Sequence, residues 1–302
     1  MKKKDLVILI LCLALAVFSA FRIAGHFSTQ QAGKQAEEQL RKIRHAEDVT
    51  AIPTMPPKTG AETPEPEEEQ PVKAEGETTY APEEPGAVKV TRLKRSMYPD
   101  NPGRTVSERF KALRKENGDI IGWLSIGKMQ DEAVTQRDNE YYMDHDVSGR
   151  KNVSGTVFLD ENISLQMRPY TLILYGHNMR DESRFGWLRK YENGDFFRKN
   201  RLIRFDTLYE EGRYVVFSEG IVSTEEGAPN YLDFFSLSSM RTDERTRAID
   251  VLKDVSVLDE PADVRIDDQI LLLVTCVDKD TDRRIVAARR IRDGEEEGQF
   301  LN

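Results

Sequence analysis

Apolar residues are distributed unevenly along the 302-residue chain. A mostly apolar run from Leu6 to Phe21 follows three lysines, and a long polar stretch comes after it. From about residue 97 the chain alternates between short apolar runs typical of strands and a few segments with helical spacing. This pattern predicts three parts: an N-terminal membrane anchor at 1–24, a polar helix and stalk at 25–96, and a folded domain at 97–302.

Short apolar runs dominate the third part. The predicted strands are GDIIGWLSIG, GTVFLDEN, YTLILYGHN, DQILLLVTC and RRIVAARRI, and LIRFDTLYEEGRYVVFSEGIVST is a predicted hairpin. Helices are predicted at SERFKALRKEN, FGWLRKYENGDFFRKN and SMRTDERTRAIDVLKDV. Because few β-α-β alternations occur, the pattern favours a mostly β domain, a largely antiparallel barrel with peripheral helices.

The N-terminal apolar run is close to the minimum length for a membrane helix, which is about 17 residues. It reaches that length if Arg22 snorkels to the interface and Ile23 and Ala24 are included. The preceding lysines predict a cytoplasmic N-terminus and an exported domain. The alternative is a signal peptide cleaved near the ALA sequence at 14–16, which also exports the domain.

The second part changes character along its length. The segment KQAEEQLRKIRHAED predicts a charged helix close to the membrane, whereas residues 51–86 hold eight of the thirteen prolines and many glutamates. Such a composition buries too little apolar surface to offset the entropy of ordering. We therefore expect residues 51–86 to form an extended, disordered stalk.

Charge and cysteine content narrow the function. A net charge of −9 argues against nucleic-acid binding, which needs a basic face. Cys276 is the only cysteine besides Cys12, which lies in the apolar N-terminal run and cannot reach it. An unpaired thiol in an exported domain is buried and inert, paired with another chain, or reactive.

The groups around Cys276 favour a reactive thiol. A cysteine nucleophile needs a base, and the domain offers His145 and His177. His177 directly follows an apolar strand and Gly176, so we favour it as the base and assign His145 a surface or structural role. Arg283 or Arg284 could stabilise an oxyanion, although either could also be a solvated turn charge. These residues show no spacing typical of metal ligands.

Three of these segments resemble sortase motifs: LVTC at 273–276, YGHNM at 175–179 and RRIVAARRI at 283–291. The resemblance extends from about residue 105 to the C-terminus. ENGDIIGWLSI, TQRDNEYYMDHD and GTVFLDEN resemble the segments that open the class B sortase domain, and a long insertion with a helix before the cysteine strand is also similar to class B. The resemblance implies a closed sortase-like barrel of about eight strands.

The resemblance also implies roles for individual residues. It makes Cys276 the nucleophile and His177 the general acid and base. Arg284 matches the family arginine because it directly precedes IVAA, with Arg283 as the alternative. The implied lining of the substrate groove comprises Asn162, Val274, Thr275 and Val277. Val274 and Val277 depart from residue types found in relatives, which leaves the recognised signal open.

The implied activity is that of a Gram-positive cysteine transpeptidase without cofactor or metal. It would cleave an LPxTG-like or NPxTx-like sorting signal of a secreted protein after threonine, form a thioester, and transfer the acyl group to an amine of a peptidoglycan precursor. An exported cysteine peptidase and a non-enzymatic anchored binding module are the alternatives. The stalk sequence PPKTG at 56–60 is a chance match to such signals or a self-recognition site.

Overall fold

A computed structural model describes residues 3–46, 91–94, 97–277 and 279–301. Its strands form one sheet that closes on itself, with the helices outside. The strands are β1 (Ile120–Ile126), β2 (Gln130–Thr135), β3 (Phe158–Leu159), β4 (Thr171–Tyr175), β5 (Leu202–Thr207), β6 (Arg213–Ser223), β7 (Ile270–Cys276) and β8 (Asp282–Arg290). The α-helices are α1 (Lys3–Ala46), α2 (Glu108–Glu116), α3 (Gly194–Lys199), α4 (Phe234–Ser238) and α5 (Thr242–Asp254), and short 3₁₀ helices span Tyr141–Met143, Leu188–Glu192 and Glu297–Phe300.

The closed barrel has the strand order β1-β2-β3-β4-β7-β8-β6-β5, and β5 pairs with β1. Most neighbours are antiparallel, whereas β2–β3 and β4–β7 are parallel. The prediction of a mostly β, closed barrel with peripheral helices is thus confirmed. The sequence pattern did not predict β2, because its buried residues include the polar side chains of Gln130, Glu132 and Thr135.

The region between β6 and β7 is held against the barrel by one buried arginine. Arg245 of α5 is fully buried and donates to the carbonyl of Ile266 at 2.7 Å, the hydroxyl of Thr171 at 2.9 Å and the carbonyl of Asp268 at 2.7 Å. Burial lowers the pKa of Arg245 to about 10. These contacts fix α5 beside the starts of β4 and β7, the two strands that lead to the predicted site.

The C-terminal part of α1 packs on the barrel, which the sequence did not predict. Leu40 is buried in the main hydrophobic core. Arg44 forms a buried ion pair with Asp206 of β5 at 2.5 Å, and Arg41 donates to the carbonyl of Asp131 of β2 at 2.6 Å. Part of the polar face of this helix therefore contacts the barrel.

The predicted membrane anchor is not confirmed. Across the part of the chain that the structure describes, no helix has both the length and the apolarity needed to cross a membrane. The predicted stalk at 51–86, including PPKTG at 56–60, lies outside the described residues.

Candidate functional site

Cys276 is the last residue of β7 and is exposed, although the six residues before it in the strand are buried. β7 runs through the core with buried side chains on both faces, which explains its continuous apolar sequence. The strand therefore presents the thiol at the barrel rim on a rigid support. A buried, inert thiol, one of the alternatives left open by the sequence, does not agree with this exposure.

His177 reaches the same rim from the neighbouring strand. β4 and β7 are parallel, and Tyr175 lies opposite Val274. Adjacent strands lie about 4.8 Å apart, so continuing this register by two residues places His177 beside Cys276. Two further contacts join the segments: Asn178 Nδ2 donates to the Cys276 carbonyl at 3.0 Å, and the Thr275 hydroxyl donates to the Gly176 carbonyl at 2.6 Å.

The imidazole of His177 is oriented by the backbone of the 3₁₀ helix Tyr141–Met143. Its Nε2 lies 2.6 Å from the carbonyl oxygen of Met143. Because a carbonyl can only accept, this contact places the proton on Nε2. The ring is thereby fixed in one tautomer and one orientation, as is needed for a group that moves protons at a defined place.

The two adjacent arginines lie on different faces of the β7–β8 hairpin. Arg283 pairs with Cys276 and Arg284 pairs with Thr275. Directly opposed residues of antiparallel strands point to the same face. The structure thus brings Arg283 into the site and not Arg284, which differs from the sequence prediction by one residue. The difference between prediction and structure comes from the pairing register of β7 with β8, because a shift of one residue exchanges the two faces of a strand.

Arg284 is instead neutralised behind the site. It forms ion pairs with Glu192 at 2.7 Å and with the fully buried carboxylate of Glu219. Burial raises the pKa of Glu219 to about 7, and the charge of Arg284 acts in the opposite direction. Arg283, in contrast, donates to the carbonyls of Asp280 and Asp282 in its own hairpin at 2.6 and 2.8 Å.

Cys276, His177 and Arg283 line one depression of about 210 Å³, here called the cysteine cleft. Its other lining residues are Asn139, Met143, Phe158, Tyr175, Gly176, Val274 and Thr275. Val274 and Thr275, predicted to line the groove, are therefore at the cleft, although both side chains are buried. Sequence reasoning missed Asn139 and Met143, because a short irregular segment that ends in one 3₁₀ turn has no periodicity that shows where it folds.

A longer groove of about 540 Å³ lies next to the cysteine cleft and shares Tyr175 with it. It lies between the 160–170 loop, β4 and the 231–240 region, with an apolar wall that includes Ile173 and Phe235. The predicted groove residue Asn162 lines it. Val277, also predicted, lies just beyond β7, half-exposed, and lines neither depression.

Tyr175 forms the boundary between the two depressions. Its hydroxyl donates to Asp160 at 3.0 Å. Burial raises the pKa of Tyr175 above its usual value, and the charge of Asp160 raises it further. The phenol therefore remains a neutral hydrogen-bonding group at neutral pH.

The side chain of His145 contacts Tyr141 and Asp144 and none of Cys276, His177 and Arg283 among the contacts described. Its ring stacks on Tyr141 with centroids 4.0 Å apart, and Nδ1 lies 2.8 Å from the Tyr141 carbonyl oxygen and 2.7 Å from Asp144. His145 does not line the cysteine cleft, and the surface or structural role predicted for it stays a prediction. Within the described residues, no group of three or more His, Cys, Asp or Glu side chains is arranged to hold a metal ion.

Comparison with known proteins gives a consistent result. No protein-family model matches the chain. Sortase B of Staphylococcus aureus is 30% identical over 195 residues, which cover 62% of this chain and 75% of that protein. The 2.0 Å crystal structure of Staphylococcus aureus Sortase B matches with a TM-score of 0.55 and 27% identity, covering 63% of this chain and 90% of the other.

A Staphylococcus aureus sortase B-substrate complex matches with a TM-score of 0.54 and 27% identity over 63% of this chain and 88% of the other. The match covers most of the length of each of these relatives, and this chain has the same barrel fold as the matched structures. The chain therefore belongs to the class B sortases, a family of cysteine transpeptidases.

Proposed function

We propose that this protein cleaves a C-terminal sorting signal of secreted proteins after threonine and transfers the acyl group to an amine of a peptidoglycan precursor. The observation that carries the proposal is the meeting of Cys276, His177 and Arg283 in one cleft beside a longer groove. Each of the three groups has a chemical role in acyl transfer through a thioester.

In the first half-reaction the Cys276 thiolate attacks the threonine carbonyl and forms a C–S bond, while the carbonyl π electrons move to oxygen. The guanidinium of Arg283 stabilises that oxyanion. When the tetrahedral intermediate collapses, the C–N bond breaks and His177 donates a proton to the leaving amine. A thioester remains on Cys276.

In the second half-reaction an incoming amine attacks the thioester carbonyl and loses a proton to His177. The C–S bond then breaks and Cys276 leaves as a thiolate. The product is a new amide, and the enzyme returns to its starting state without an oxidant, a reductant or a cofactor. Water in place of the amine would give hydrolysis instead.

The longer groove is the proposed site for the sorting signal. An extended peptide in this groove would pass Tyr175 and enter the cysteine cleft with its threonine carbonyl foremost. The groove is mainly apolar with a few polar groups, among them Asn162, which suits recognition of a short peptide. LPxTG-like and NPxTx-like signals are both candidates.

We also propose that the N-terminus anchors the protein in the cell membrane as a single-pass segment with the catalytic domain outside. The three lysines and the apolar run from Leu6 to Phe21 support this orientation. The test is to fractionate cells and treat intact protoplasts with protease. The domain should remain with the membranes after carbonate extraction and should be digested from outside.

The activity test uses the purified full chain, a panel of LPxTG-like and NPxTx-like peptides, and triglycine as the amine, with products identified by mass spectrometry. We expect one peptide to give a product joined at threonine to triglycine, and Cys276→Ala to give none. Release of only the free acid in the presence of triglycine would favour a peptidase. No product together with a Cys276 thiol that resists alkylation would favour a binding module.

A further inference from the structure

Arg184 lies at the centre of a buried charge cluster outside the cysteine cleft. Only 7% of its surface is exposed, and its guanidinium pairs with Glu37 of α1 and Glu132 of β2. The same group donates to the Gly155 carbonyl at 2.9 Å and the Ser154 carbonyl at 3.3 Å. One side chain thus joins α1, β2 and the loop that precedes β3.

Arg184 also belongs to the loop that begins at His177. The backbone N–H of Phe185 donates to the His177 carbonyl at 3.0 Å, and Asn178 and Arg184 form an isolated bridge. Arg184 has a φ of 52°, a left-handed conformation that non-glycine residues rarely adopt. The contacts of the guanidinium hold this residue in place. They add to the bond from Asn178 to the Cys276 carbonyl and to the buried side chain of Phe185, which also fix this loop to the barrel.

Arg184 is also connected to the imidazole of His177, through Gly155 and Met143. Gly155, whose carbonyl accepts from Arg184, packs so closely on the 3₁₀ helix that a Cβ would lie 2.7 Å from the Met143 carbonyl oxygen. That oxygen is the one that accepts from Nε2 of His177. Both the backbone and the ring of His177 are therefore supported by segments that Arg184 holds.

We propose that Arg184, held by Glu37 of α1 and Glu132 of β2, is a positioning residue for His177. The inference rests on the proposed function, because it assigns His177 the proton transfers of acyl transfer. Through Glu37 the C-terminal part of α1, the helix that also contains the apolar run of the proposed anchor, becomes part of the support of the active site. When α1 separates from the barrel, the loop at 177–186 loses one of its two carboxylate anchors and the imidazole loses its defined orientation.

The charges of the cluster allow a test in a folded protein. Glu37 and Glu132 share one guanidinium, so Glu37→Gln leaves a one-to-one pair between Arg184 and Glu132. Loss of Arg184 would leave the buried Glu132 and the partly buried Glu37 without this cation and would destabilise the region. Glu38→Gln is the matched control, because Glu38 is exposed on the same helix and pairs only locally with Lys42, at 3.0 Å.

The experiment uses the full chain in detergent micelles. It measures kcat and KM for the transferred peptide, the pH profile of iodoacetamide alkylation of the peptide that contains Cys276, hydrogen exchange of residues 177–186, and Tm. For Glu37→Gln we expect kcat to fall about tenfold with unchanged KM, a shifted alkylation profile and faster exchange, since a small misplacement of a catalytic group has effects of this order. Glu38→Gln should match the wild type in all four measurements.

Glu37→Asp keeps the charge and should recover part of kcat and of the alkylation profile, which separates positioning from a loss of stability. The inference is overturned if Glu37→Gln retains the wild-type kcat and alkylation profile, or if Glu37→Asp recovers only Tm. If the wild type itself transfers no peptide, the proposed function fails. The alkylation profile and the exchange of 177–186 still decide whether Glu37 positions His177 relative to Cys276.

Discussion

Cys276 and Arg283 face one side of the β7–β8 hairpin, and Thr275 and Arg284 face the other. On the first face the thiol is exposed and the guanidinium contacts only carbonyls of its own turn, among the bonds described. On the second face the hydroxyl of Thr275 is bonded to Gly176, and Arg284 is paired with Glu192 and Glu219.

The two arginines therefore lie in different electrostatic surroundings. The positive charge of Arg283 remains available for a developing oxyanion, whereas that of Arg284 is already balanced by carboxylates. We therefore expect the two adjacent arginines to have separable roles, Arg283 in the proposed chemistry and Arg284 in stability. Substitutions on each face can test this separation.

The largest effect is expected on the cleft face. Arg283→Ala should lower kcat about 10²- to 10³-fold, because an oxyanion donor is lost from a preorganised site. Tm, followed by circular dichroism, should remain close to that of the wild type. A variant that retains its turnover would show that Arg283 is not the oxyanion donor and would remove the functional difference between the two faces.

On the opposite face the expected loss is in stability. Arg284→Ala leaves the buried carboxylate of Glu219 without its cation and should lower the free energy of unfolding by about 3 kcal/mol at pH 8. Urea unfolding measures this loss, and turnover per folded molecule should be largely retained. The opposite outcome, normal stability with no turnover, would restore Arg284 as the arginine of the site.

The pKa of Glu219 makes the second face sensitive to pH. Its folded-state pKa is about 7 and its ordinary value is 4.5, so between these values the folded protein retains a proton that the unfolded chain releases. This contribution is complete below about pH 4.5 and is lost as the pH rises to 7 and above. Relative to Glu219→Gln, the wild type should therefore lose Tm between pH 5 and pH 8.

The matched control for this measurement is Glu192→Gln, since Glu192 pairs with the same arginine but is mostly exposed. Its Tm should show a similar loss with rising pH to that of the wild type, complete at a slightly lower pH because the charge of Glu192 also raises the pKa of Glu219. If Glu219→Gln and Glu192→Gln show parallel curves, the pH dependence arises elsewhere in the protein.

The smallest effect is expected from Thr275→Val, which keeps the shape of the side chain and removes one hydrogen bond. The buried Thr275 hydroxyl donates to the Gly176 carbonyl at 2.6 Å, so its loss should cost about 1 kcal/mol of unfolding free energy. Turnover should fall slightly, because Gly176 precedes His177. A change in kcat as large as that of Arg283→Ala would contradict the assignment of this face to stability.

Much of the barrel can be predicted from apolar runs, whereas β2 cannot. The runs of β4, β7 and β8 are apolar because these strands are buried. In β2 the buried Gln130 bonds to Trp187 and the buried Glu132 to Arg184, residues more than fifty positions away in sequence. A polar residue whose partner is distant looks like a loop residue in the sequence, so periodicity alone does not identify such a strand.

The site shows the same limit. The sequence motifs brought Cys276 and His177 to attention, and the structure places them at one rim, although their catalytic roles stay predictions. The choice between Arg283 and Arg284 depends on the pairing register of β7 with β8, which composition does not specify. The packing of α1 was missed because its apolar stripe is short, formed by Ala36, Leu40 and Ile43, and stands among charged residues such as Arg44, whose partner Asp206 is distant in sequence.

The parallel pairing of β4 with β7 also affects when, during folding, Cys276 and His177 come together. No hairpin can form this pair, and Tyr175 and Val274 meet only after the intervening chain has been placed. Contacts of such long range form slowly and late. In the unfolded chain Cys276 is therefore separated from His177, and the two residues meet only when the barrel closes.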